Sequence, residues 1–167
     1  NIDTLFINAI VLTMDEKLTQ YDPGAVAVSG DSIIAVGPEA ELKKEYSAKE
    51  IVDCGGKILM PGLINAHTHV PMTLVRGLAD DLRLDVWLMG YMLPVERQFV
   101  SPEFVRLGTL IACAESIRSG VTTFNDMYFY EDDIAQATAD AGMRAVCGES
   151  VMKYPAPDAA SYDDSLA

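Results

Sequence analysis

Histidine is nearly absent: the 167 residues contain two, at positions 67 and 69. Basic residues are scarce too, twelve against twenty-five acidic ones, for a formal net charge of -13. Nucleic-acid binding needs a cationic face that displaces counterions from phosphates, so this balance excludes it. An anionic membrane surface is excluded on the same ground. No apolar run approaches the roughly 20 residues of a membrane span. The three cysteines, Cys54, Cys113 and Cys147, are odd in number and widely spaced. They fit neither a disulfide framework nor a zinc knuckle and read as reduced thiols of a cytoplasmic protein. No basic segment followed by an apolar one opens the chain, so no signal peptide is expected. The first residue is Asn1 rather than Met, as expected after trimming.

What is present is half apolar, enough to bury a core. Residues 1–60 read as all-β. Thr4 to Met14 alternate as a strand with a bend at Asn8. Ala25–Val28 and Ile33–Val36 flank a Ser29-Gly30-Asp31 turn as a hairpin. Glu39–Tyr46 suits a short helical turn, and Ile51–Cys54, Gly55-Gly56 and Lys57–Met60 read as a second hairpin. Short strands with frequent turns suit a small β-sandwich domain.

The pattern changes at Pro61-Gly62. Leu63–Ala66 is a short apolar strand, and a helix is expected near Leu84–Tyr91. Ser101-Pro102 opens a helix that Gly120 closes. Val121–Asn125, Asp132–Ala141 and Met143–Cys147 continue as strand, helix and strand, and Tyr154–Ala167 reads as loop. Strand–helix alternation means parallel strands with helical crossovers, either a doubly wound sheet or a (β/α)8 barrel. A barrel takes roughly 250 residues, so residues 61–167 hold only its first two to three units.

His67 and His69 follow the first of these strands. Residues i and i+2 of a strand point to the same side, so both imidazoles can approach one ion. For a bare His-x-His, pairing for packing is at least as common as metal binding. The position at the C-terminal end of a parallel strand, where α/β folds build their sites, favours metal.

Pro61-Gly62-Leu63-Ile64-Asn65-Ala66-His67-Thr68-His69 resembles the opening motif of the amidohydrolase superfamily. The stretch Pro71–Leu82, Trp87-Leu88, Leu93-Pro94-Val95-Glu96 and Gly120–Met127 are similar to one branch of it. That branch holds 5'-methylthioadenosine/S-adenosylhomocysteine deaminases and triazine chlorohydrolases. The resemblance covers nearly the whole chain. It implies a (β/α)8 barrel with an accessory β-domain and one divalent metal ion, usually Zn2+, held in part by His67 and His69. It implies hydrolytic deamination of an adenosine derivative by metal-activated water. Glu96 then matches the carboxylate that holds the ribose hydroxyls, and Trp87 lies near the substrate pocket. The remaining ligands and the proton-shuttling glutamate have no counterpart here, so no catalytic residue is assigned within this chain. The rest of the barrel is the expected partner, beside a nucleoside-like substrate, and a homo-oligomer is left open. One departure weakens the purine assignment: some relatives carry an arginine near the end of the third strand, where this chain reads Val146-Cys147-Gly148-Glu149-Ser150, with Arg144 earlier. A triazine, guanine or related ring hydrolase of the same branch is the alternative, and an inert fragment the rival of another class. Asp126 reads as a residue at the same rim whose ordinary role is to fix a neighbouring loop.

Overall fold

The computed structural model describes residues 1–166. Only the final residue of the loop expected over Tyr154–Ala167 lies outside them, and a short 3-10 turn, Asp164–Leu166, occupies its end. The chain divides into two compact units, Asn1–Pro61 and Gly62–Ala167.

The first unit is one mixed sheet. Strands β1 (Ile2–Leu12), β2 (Gln20–Ser29), β3 (Ser32–Pro38) and β4 (Ala48–Asp53) lie in the order β3-β2-β1-β4, and β5 (Ile58–Leu59) also pairs β1. The β2–β3 hairpin forms as the turn residues require, with Gly30 at φ 59°. Helix α1 (Glu39–Glu45) packs Leu42 against Ile2, Leu5, Ala25 and Ala27.

The second hairpin is corrected: β4 and β5 both run parallel to β1. The cause is the bend at Asn8, whose φ is 54° and where the β1–β2 register shifts. Gly55 and Gly56, both at positive φ, skirt that bend without reversing direction. Cys54 N–H donates to the Ile7 carbonyl, Gly56 N–H to Asn8, and Ile10 N–H to Lys57. The two glycines that resemble a turn are thus an interruption in one strand-like path. The described residues of this unit hold one sheet, where the expectation is the N-terminal part of a two-sheet sandwich.

The second unit is α/β. Strands β6 (Leu63–Thr68), β7 (Val121–Tyr128) and β8 (Arg144–Glu149) are parallel and lie in that order. Helix α4 (Pro102–Arg118) links the first pair and α5 (Glu131–Asp140) the second. Ser101 Oγ accepts from Phe104 N–H at 3.2 Å, so it caps α4 as expected, and Gly120 follows at φ 78°. Val70, Val105, Cys113, Phe124 and Ile134 form the core between sheet and helices.

A 3-10 helix, Val70–Val75, leaves His69 and crosses α4 closely. A Cβ on Gly108 would sit 2.6 Å from the Pro71 carbonyl oxygen, so only glycine allows this approach. β7 runs on to Tyr128 rather than stopping at Asn125.

Parallel sheets usually bury both faces. Here Ile64 is 71% and Val146 64% exposed.

Candidate metal and substrate site

β6 delivers His67 at its last turn of pleat and His69 just beyond its end. The two rings stand edge to face with centroids 5.2 Å apart, so the spacing does place them side by side. His69 Nδ1 lies 2.5 Å from the Met127 carbonyl oxygen. A carbonyl only accepts, so Nδ1 is the donor to it, and Nε2 is the nitrogen left to offer its lone pair to a metal. Metal-ligating histidines are commonly oriented this way, by a hydrogen bond from the second ring nitrogen. The donor chemistry therefore fits a divalent ion such as zinc, with two imidazoles supplied by this chain. Among the described residues no group of three or more His, Cys, Asp or Glu side chains could complete the shell.

Beside His69 opens a cavity of about 500 Å3 whose walls include Met72, Trp87, Glu96, Tyr128 and Met152. His67 is exposed and is not part of that wall. Glu96 is 7% exposed and its Oε1 accepts from the Tyr128 hydroxyl at 3.0 Å. Burial pushes the Glu96 carboxyl above its ordinary range, against the pull of the Tyr128 hydrogen bond. Burial, then the charge of Glu96, push the Tyr128 phenol upward, so it stays a donor.

Trp87 and Glu96 reach the same cavity because their helix is not regular. α2 (Leu84–Trp87) passes into a π turn, Leu88–Met92, and then into α3 (Leu93–Phe99). At about 100° per residue, positions nine apart on an unbroken α-helix would lie on opposite faces. The wider π turn takes up the difference. Pro94 is the physical cause: it has no N–H to donate, and its ring crowds the carbonyl four residues back.

Asp126 is corrected in place. It belongs to β7 itself, on the buried side with Phe124 and Tyr128, and is 2% exposed. Its Oδ1 accepts from the Thr68 hydroxyl and from Val70 N–H, the latter at 2.8 Å. It thus grips both neighbours of His69. Arg144 begins β8, so it stands at the far end of that strand from the histidines. Sequence reasoning misses Tyr128, Glu131 and the Met127 carbonyl. Extending the two-residue period of β7 from Phe124 would find Tyr128; a backbone carbonyl leaves no signature.

The amidohydrolase family profile matches residues 58–166, and a bacterial imidazolonepropionase-like composite domain matches residues 24–46. A 5-methylthioadenosine/S-adenosylhomocysteine deaminase 1 of Syntrophus aciditrophicus (strain SB) is 45% identical over 167 residues, all of this chain and 38% of that protein. A deaminase with the same two named substrates, from Syntrophobacter fumaroxidans (strain DSM 10017 / MPOB), is 48% identical over 98% of this chain and 37% of its own length. Among solved structures, an adenosine deaminase from Xanthomonas campestris with bound zinc superposes with a TM-score of 0.93 at 40% identity, covering 99% of this chain and 38% of that one. The chain therefore spans well under half the length of the relatives it matches. With a profile match over residues 58–166, about two thirds of the chain, and these relatives beside it, the chain belongs to the amidohydrolase family.

Proposed function

We propose that this chain is the metal- and ribose-holding part of a hydrolase that deaminates an adenosine derivative of the 5'-methylthioadenosine or S-adenosylhomocysteine type. The observation that carries the reading is the shared cavity: a free imidazole nitrogen and a buried carboxylate face one largely apolar space. The names borne by the relatives support the substrate class. In this reading the three parallel strands are the start of a (β/α)8 barrel, and residues 1–60 are the N-terminal part of an accessory β-sandwich domain. The exposed Ile64 and Val146 then face strands and helices outside this chain. The protein works on a diffusible nucleoside in the cytoplasm, consistent with three free thiols.

His67 and His69 would hold the ion, most simply zinc, with further ligands from the rest of the barrel. When bound, the metal supplies the Lewis acidity that makes water a nucleophile at neutral pH. The chain's own side chains bind and orient. Glu96 accepts both hydrogen bonds of a vicinal diol, which fixes the ribose, and so the ring beyond it, in one pose. Tyr128 holds Glu96 in place through its hydroxyl. Trp87, Met72 and Met152 offer apolar surface to the sulfur substituent.

The experiment is a double comparison in the full-length protein. A charge-assisted hydrogen bond is worth about 1.5–3 kcal/mol, so Glu96→Gln should lower kcat/KM by about tenfold to a hundredfold. A 2',3'-dideoxy analogue offers Glu96 nothing to hold and should be nearly indifferent. Equal losses on both substrates would make Glu96 structural and remove the nucleoside reading's main support.

A further inference from the structure

Three carboxylate oxygens on two neighbouring side chains are buried without a hydrogen-bond partner: Asp126 Oδ2 and both oxygens of Glu131. Asp126 is 2% and Glu131 5% exposed. Ionised carboxylates only accept, so two of them facing each other satisfy nothing and repel. Unpaired buried acceptors are rare in native proteins because each carries its full desolvation cost.

No cation relieves them, since neither residue belongs to any ion pair among the described residues. The titratable groups around them are carboxylates, the Cys147 thiol and the Tyr128 phenol, with the Tyr128 N–H also acting on Glu131. Asp126 comes from β7, and Cys147 and Glu149 from β8. Asp132 and Asp133 share the first turn of α5, and Asp158 lies in the following loop. The helix N-terminus does not compensate Glu131's own carboxyl, because Glu149 already takes the Glu131 N–H at 2.9 Å. Burial first, then the Asp126 charge, push the Glu131 carboxyl upward. Burial and Glu131 push the Cys147 thiol up to about 12, so it keeps its proton.

We propose that Asp126 and Glu131 share one proton, Glu131 donating to Asp126 Oδ2, and that this bond stiffens the Thr68–Val70 segment that presents His69. One proton accounts for the orphaned Asp126 oxygen and one Glu131 oxygen together. Cys147, whose thiol keeps its proton, is then the donor left for the other Glu131 oxygen. Asp126 Oδ1 remains free to take the Thr68 hydroxyl and Val70 N–H. Glu131 is thereby a positioning residue, two bonds removed from the histidine. Only this last step rests on reading His69 as a metal ligand.

The test uses the metal-loaded full-length protein and two readouts. The first is the carboxylic-acid C=O stretch in infrared difference spectra at neutral pH, wild type against Glu131→Gln. A band present in the wild type and missing in the variant supports the shared proton; no such band in the wild type overturns it. The second is zinc affinity by chelator competition. The amide introduced by Glu131→Gln still donates to Asp126 Oδ2, so that variant should stay within about threefold of wild type. Glu131→Leu removes the donor and should weaken zinc by about 10–100-fold. Equal affinity in all three, or equal weakening in both variants, overturns the positioning step. If Glu131→Leu does not fold, the infrared pair and the Glu131→Gln affinity decide. A wild type that shows the band yet takes up no zinc upholds the shared proton and sinks the metal reading instead.

Discussion

His69 is aimed by a carbonyl oxygen, Glu96 by a phenol, and the two aiming groups are consecutive on β7. The aimed residues are legible in the sequence itself: His67 and His69 by their spacing after an apolar strand, Glu96 by the segment it sits in. The aiming groups are not, because the apolar pattern of that strand breaks after Asn125 while its backbone pairing continues to Tyr128. Tyr128→Phe tests the second pair. It leaves a buried carboxylate oxygen without its donor, which costs about 1–3 kcal/mol. Chemical denaturation should show that loss, with a further upward shift of the Glu96 carboxyl. Glu131 makes a pH prediction of the opposite kind. Its folded-state carboxyl is raised above its unfolded value, so the folded form binds more protons. Stability is then full in mild acid and falls as pH rises above the ordinary glutamate range. Glu131→Gln should flatten that decline; an unchanged slope would assign it to other groups.

Helix α4 can be read from its ends, since a serine cap, a proline at the first position and a glycine stop are local chemistry. The interrupted path of β4 and β5 cannot, because Gly55-Gly56 resembles a turn and only the distant bend at Asn8 makes it something else. The π turn is equally hidden, although Pro94 is its local cause. Its role in facing Trp87 and Glu96 together can be tested by Pro94→Ala, which returns the N–H that α-helical pairing needs while keeping the two positions nine apart. Restoring α-helical phase should turn the two residues away from each other. A misplacement of that size should lower kcat/KM about 100-fold while circular dichroism keeps its helical signal. Retained activity would show that the turn does not set the cavity. Gly108→Ala probes the crossing of α4 and the 3-10 helix. With 2.6 Å available, the backbones must separate, at about 1–3 kcal/mol of stability.

For the molecule as a whole, two imidazoles are half of a four-coordinate site. The 167-residue chain by itself should lose its metal on dialysis against chelator; stoichiometric metal retained would require further donors within the chain. Its fold class is legible at the level of strand–helix alternation, while the sheet's bare faces are not, since burial is decided by what packs alongside. Those faces have a colloidal consequence. Ile64 and Val146 offer sticky apolar contacts on an otherwise anionic particle, and what keeps two copies apart is their mutual repulsion at a formal -13. That repulsion reaches about 10 Å at 0.1 M salt and about 3 Å at 1 M. Light scattering from the 167-residue chain should therefore report single particles in dilute buffer and clusters that grow as sodium chloride is added, the reverse of a protein held together by ion pairs.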